Sequence, residues 1–213
     1  MPYLVNTLIV GVLLLNLFAL GTSRLSGVIR VVAIQGALLG LLPPLLGHGD
    51  GWRILGMAGA MVLLKGLAIP AMLRKAMRDA QIRHEVEPLL GLMPTVLLGA
   101  LGTGAALFLT ARLPLLPADA ATLLAPASFA TAFAGFLLLT TRAEAMSQVL
   151  GYLLLENGIY LFGLLLLGAL PALVELGILL DLFVAMAVVS IIVHHIQKAF
   201  VSLDTRRLSS LKD

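Results

Sequence analysis

Long apolar runs alternate with short polar connectors along the whole chain. A helix needs about 20 apolar residues to cross the hydrocarbon layer of a bilayer. Seven runs approach or exceed that length: residues 3–20, 28–46, 52–73, 89–111, 121–140, 145–170 and 172–196. The predicted fold is therefore all-α, a polytopic membrane protein of about seven transmembrane helices forming a single integral membrane domain over residues 1–213. Within it, 1–87 holds the first three helices, 88–140 helices 4 and 5, and 141–213 the last two helices and a tail. The leading stretch MPYLVNTLIVGVLLLNLFAL lacks the positive start and the small-residue cleavage site of a secretory signal and reads as a retained first helix.

An odd number of crossings puts the two termini on opposite sides. One set of alternating connectors carries Arg24, Arg30, Arg74, Lys75, Arg78, Arg83, Arg142, Lys198, Arg206, Arg207 and Lys212, whereas the other carries only Arg53 and Arg112. This eleven-to-two asymmetry predicts a cytoplasmic carboxyl terminus and an external amino terminus. The longest polar connector, RKAMRDAQIRHEVEP, reads as a short amphipathic extension of helix 3. GHGDGW, between helices 2 and 3, follows no strand and lacks dinucleotide-binding spacing, so it reads as a turn. Gly36 with Gly40, and Gly56 with Ala60, stand at the four-residue spacing that lets helix backbones approach closely, within the chain or against a neighbouring subunit.

Composition narrows the function classes. The chain is 60% hydrophobic and 12% charged, far from the roughly 25% charged residues of soluble domains. The net charge of +3 does not point to nucleic acid, because the basic residues are dispersed over connectors and no aromatic-studded basic stripe exists. With no cysteine, thiolate metal sites, cysteine-held iron–sulfur clusters and disulfides are excluded. Of the four histidines, His194 and His195 are adjacent while His48 and His84 lie far away in sequence, and together they show no metal-binding spacing. No cofactor is expected.

Ionisable residues inside the oily runs carry the chemistry. Lys65, Glu156, Glu175 and Asp181 all lie within predicted spans. A charge at mid-bilayer costs on the order of 3 kcal/mol on insertion scales, so each calls for a partner or a use. Counting about 1.5 Å per residue from the predicted cytoplasmic helix ends places Lys65 about 12 Å deep, Glu156 about 16 Å and Asp181 about 22 Å, with Glu175 near the outer face. Gln148, Tyr152, Glu156 and Tyr160 recur every four residues as a slowly drifting stripe on helix 6, and Asn157 adds a further polar group. Pro70 cannot donate to the Gly66 carbonyl, so helix 3 should kink or loosen just beyond Lys65. A duplicated three-helix unit is suggested by Gln35 and Glu156, each near mid-span after an arginine, and by Lys65 and Asp181 in the third helix of each half. The expected proton path comprises Lys65, Glu156 and Asp181, with Glu175, Tyr152, Tyr160, Gln148, Gln35 and His194 as further relay members. A static network of paired charges would leave the same sequence pattern.

Three stretches resemble a known family. VELGILLDLFVAMAVVSIIVHHI followed by FVSLDTRRL, LGYLLLENGIYLFG, and LLKGLAIPAMLRK are similar to the hydrogenase-4 component E (HyfE-type) membrane subunit of group 4 membrane-bound hydrogenases and formate hydrogenlyase-related complexes. The last helices also resemble the NuoK/MrpC-type small subunit of complex I and of multisubunit cation/proton antiporters. There Asp181 matches the acid of the last helix, and Glu156 stands one turn beyond the acid of the preceding one. The resemblance implies a non-catalytic subunit in the inner (cytoplasmic) membrane, without a redox site of its own. Its partners would be antiporter-like and other membrane subunits, with a peripheral nickel–iron/iron–sulfur arm, and its part would be in proton or sodium translocation coupled to electron transfer. Two alternatives stay open at this level, a purely structural scaffold subunit and a free-standing small cation/proton transporter.

Overall fold

The computed structural model describes residues 2–47, 51–79, 89–113 and 122–166. Helices account for nearly all of them: α1 (Pro2–Gly21), α2 (Leu25–Leu46), α3 (Gly51–Met61), a π-helical segment (Val62–Ala68), α4 (Ile69–Asp79), α5 (Leu92–Thr110), α6 (Leu124–Thr141) and α7 (Ala145–Leu166). No strand occurs among the described residues. α3, the π segment and α4 follow one another without a break, so the elements make six helices long and apolar enough to cross a membrane. The chain is a multi-pass membrane protein. The seventh expected span, 172–196, lies outside the described residues, as does most of the connector after α4.

Local chemistry sets where the helices end. Pro43 and Pro44 stand in the last turn of α2 and leave the carbonyls four residues back without their usual donors. The helix then stops at Gly47, whose φ of 72° is the left-handed conformation that glycine adopts without a Cβ clash. α2 starts three residues earlier than its apolar run indicates, because the turn closes directly after Arg24, in extended conformation.

The loosening expected beyond Lys65 surrounds it instead. Pro70 has no N–H, and its ring crowds the carbonyl four residues back. The preceding turns widen, so that the Ile69 N–H reaches the Leu64 carbonyl five residues behind. Lys65 is the fourth of the seven residues of this π segment. Such wide turns are rare in helices and are frequently found at functional sites.

Small residues bring the backbones together. A Cβ on Gly36 would fall 2.5 Å from Lys65 Cβ, and one on Gly40 would fall 2.7 Å from a Val62 methyl, so this glycine pair seats α2 on the π segment. Gly135 abuts the Leu155 backbone, and a Cβ on Gly151 would fall 2.8 Å from the Leu139 nitrogen, which locks α6 against α7. Without a hydrophobic force between helices in lipid, close packing of this kind is what holds them. Gly56 has open space around it, and Ala60 is exposed, so that pair serves no contact among the described residues. α5 turns Met93, Leu97, Leu101 and Phe108 outward, toward lipid or a neighbouring chain.

Two apolar clusters fill the bundle. One contains Leu20, Ile29, Val32, Ile69, Leu73, Ala134, Leu150 and Leu154. The other contains Val5, Ile9, Val12, Leu39, Leu42, Ala127, Leu161 and Leu164. Each of α1, α2, α6 and α7 contributes to both, and at least one buried polar residue lies between its two contributions. At the end nearer the first cluster, Arg142 Nη2 donates to the Thr22 carbonyl (2.8 Å) and the Leu89 N–H to the Thr141 carbonyl (2.9 Å). These bonds tie the α1–α2 turn, the α6–α7 turn and the entry to α5 together.

Candidate functional site

Between the two apolar clusters lies a polar layer built from one or two residues on each of five elements. α1 supplies Asn16, α2 Gln35, the π segment Lys65, α6 Thr131, and α7 Glu156 and Asn157. None of the six is more than 4% exposed. Their side chains form one connected set. Lys65 Nζ lies 3.3 Å from Glu156 Oε1 and donates to Asn157 Oδ1 at 3.3 Å. Asn157 Nδ2 donates to Gln35 Oε1 (3.3 Å), Gln35 Nε2 to Asn16 Oδ1 (2.7 Å) and to the Val12 carbonyl (3.2 Å), and Asn16 Nδ2 to Thr131 Oγ1 (2.9 Å).

The ion pair is close but not aligned. Neither oxygen of Glu156 makes a hydrogen bond among the described residues, so Lys65 holds the carboxylate by charge proximity alone. Burying a carboxylate without hydrogen bonds costs free energy, which sets Glu156 apart from the hydrogen-bonded amides of the layer. The Tyr160 ring, one turn further along α7, lies 5.5 Å from Lys65 Nζ and offers its face to the cation. The wide turns of the π segment and the glycine at position 36 together place the ammonium here: the Lys65 backbone sits against α2 where any larger residue would displace it.

The residues expected from sequence divide into three groups. Lys65, Glu156 and Gln35 come together, with Tyr160 beside them. Lys65 and Glu156 meet through the ends of their side chains, 3.3 Å apart. Gln148 and Tyr152 stand apart: Gln148 is exposed, and Tyr152 packs half-buried against the first apolar cluster. Because a four-residue repeat drifts around the helix, the stripe does not present all its members to one neighbour. Asp181, Glu175 and His194 lie outside the described residues.

Asn16 and Thr131 have no place in the sequence reading, yet both belong to the layer. For Asn16 a signal existed: a lone carboxamide in the run LLLNLFAL has to find a partner in lipid. Threonine gives no such signal, because its hydroxyl can satisfy itself on its own helix, as Thr110 and Thr141 do here.

A second buried charge sits at the α6–α7 turn. Arg142 is 3% exposed; burial pushes its guanidinium below the ordinary value and the neighbouring Glu144 pulls it back up. Its Nη2 bond to Thr22 makes it a clasp between turns. Among the described residues no group of three or more metal-ligating side chains comes together.

The chain is 32% identical over 205 residues to the uncharacterized protein Rv0085 of Mycobacterium tuberculosis, covering 95% of this chain and 93% of that one. It is also 35% identical over 78 residues to hydrogenase-4 component E of Escherichia coli K12, and equally to that of Shigella flexneri. Those 78 residues are 37% of this chain and 36% of the hydrogenase component, so the likeness spans about a third of either protein. No family model matches the chain. No solved structure matches it.

Proposed function

We propose that this chain, which belongs to the same family as the Mycobacterium tuberculosis protein Rv0085, is a non-catalytic membrane-arm subunit of a complex I-like, energy-converting hydrogenase assembly. Its buried Lys65–Glu156 pair takes part in moving protons, or sodium ions, across the membrane. One observation carries the ion-moving role: a lysine and a glutamate 3.3 Å apart, each 4% exposed, midway between two apolar layers. A pair in low dielectric responds strongly to any change of charge nearby, which is what coupling to a distant redox reaction requires. Membership of an assembly is supported by the likeness to a hydrogenase component and by the outward apolar face of α5.

On this reading hydrogen chemistry takes place on partner subunits, and this chain supplies charge and no redox centre. The basic connectors face the cytoplasm and the chain resides in the inner (cytoplasmic) membrane, with Asp181 and Glu175 continuing the path outside the described residues. The deciding experiment is made in the assembled complex. Glu156→Gln should impair ion pumping while leaving hydrogenase activity with artificial electron carriers intact. Unchanged pumping per assembled complex would defeat the ion-moving role. Purification of the chain free of antiporter-like and nickel–iron subunits would defeat the assembly.

The Glu156 oxygens favour this reading over a purely structural scaffold. A pair selected only to hold helices together gains from hydrogen bonds that satisfy the carboxylate, and among the described residues both oxygens lack them. A reporter fused after residue 213 tests the orientation, and activity of a cytoplasm-specific reporter is the expected result.

A further inference from the structure

The hydrogen bonds of the polar layer all run in one direction, and the direction is forced from two ends. An ammonium has only donors, so the Asn157 atom 3.3 Å from Lys65 Nζ is its oxygen. That turns the Asn157 NH2 toward Gln35, which answers with Oε1. The Gln35 NH2 then faces the other way, where it meets Asn16 Oδ1 and the Val12 backbone carbonyl. A backbone carbonyl only accepts, so Val12 demands the same orientation of Gln35 independently of Lys65. Asn16 in turn gives its NH2 to Thr131 Oγ1. Three carboxamides, none more than 1% exposed, therefore stand head to tail with their oxygens on the lysine side.

From this we infer that Asn157, Gln35 and Asn16 are positioning residues: an aligned dipole stack that holds Lys65 as an ammonium against Glu156 and carries no protons itself. Bonds in such a chain polarise one another, and in low dielectric the effect of the aligned oxygen ends on a cation is large. A side-chain amide has no group that takes up and releases a proton near neutral pH. Gln35, expected from sequence as a relay, is thereby assigned to the anchor, and within the layer proton exchange is left to Glu156, whose Oε2 has no hydrogen-bond partner among the described residues. The titratable groups that the described elements bring to the pair are Lys65 itself, from the π segment, beside Glu156, and Tyr160 from α7, whose ring faces the Lys65 ammonium. α1, α2 and α6 bring amides and a hydroxyl. The inference rests on the proposed ion-moving role only for its use, not for its physics.

The test uses the full-length chain in lipid nanodiscs and follows the carboxyl C=O stretch of Glu156 by infrared titration, identified as the band missing in Glu156→Gln. Asn157→Leu and Gln35→Met should each raise the neutral-acid fraction at pH 7. The titration midpoint should be displaced by about one pH unit, a tenfold change in proton occupancy. Gln148→Met, on the exposed side of the same helix, should superimpose on the parent. Unchanged midpoints in both amide variants would overturn the inference. A measurement on the parent needs no variant to fold: the 15N shift of Lys65 Nζ should report an ammonium at pH 7, and a neutral amine would overturn it equally. If the midpoints move but Glu156→Gln leaves pumping by the assembled complex intact, the stack stands and the ion-moving role falls.

Discussion

Removing one partner of the Lys65–Glu156 pair should destabilise the protein with a pH dependence whose sign depends on which partner is removed. In Lys65→Met, Glu156 is left 4% exposed with no hydrogen bond to either oxygen among the described residues, and it can stay buried only by taking up a proton. Keeping neutral a carboxyl that ionises near pH 4.3 in the unfolded chain costs about 1.4 kcal/mol per pH unit above that value, hence about 4 kcal/mol at pH 7 and about 1 kcal/mol at pH 5. The native variant then binds a proton that its unfolded chain lacks, so its stability falls as pH rises. Loss of the Lys65–Asn157 bond adds about 1 kcal/mol at every pH. In Glu156→Gln the unpaired amine must instead lose its proton. Against an unfolded value near 10.4 this costs about 5 kcal/mol at pH 7 and about 2 kcal/mol at pH 9, and stability rises with pH. The double variant buries no charge and should recover most of either loss, since replacing a buried pair by neutral groups is often neutral or stabilising by about 1–4 kcal/mol. Denaturant unfolding in detergent micelles, read by helical circular dichroism at pH 5, 7 and 9, gives all the differences required. Parallel pH profiles for the two single variants, or a double variant less stable than either, would refute the reasoning.

Other substitutions follow from the packing. Gly36→Ala places a methyl group 2.5 Å from Lys65 Cβ and should cost about 1–3 kcal/mol in the same assay, whereas Gly56→Ala, with nothing within 4 Å, should stay within about 0.5 kcal/mol of the parent. Gly135→Ala meets the Leu155 backbone and should destabilise at least as much, with Gly163→Ala, in open space, as its neutral control on the next helix. Arg142→Met should lose about 1.5–3 kcal/mol by removing the clasp to Thr22. Burial and Glu144 act in opposite directions on a guanidinium that already ionises far above neutrality, so this loss should be flat between pH 5 and pH 9, unlike the two profiles above.

The apolar runs by themselves determined that this chain is a bundle of membrane-spanning helices, because in lipid a run of that length has to satisfy its own backbone and only a helix does so. The same economy made Lys65 and Glu156 conspicuous: a charge in oil needs a partner whatever the fold. Sequence also located the disturbance in helix 3, since Pro70 has no donor to give, but not its form. Whether a helix answers a missing donor with a kink or a wide π turn depends on what packs alongside, and here Gly36 and Gly40 leave room for α2 to seat against the widened turns. Which polar residues share a layer was likewise decided only in three dimensions. Gln148 and Tyr152 belong to the same four-residue stripe as Glu156 yet stand apart from it, while Asn16 and Thr131, 115 positions apart in the chain, bond directly. A helical period tells which residues share a face of one helix; it is silent on which neighbour that face meets, and a hydrogen-bonded layer is made of those meetings.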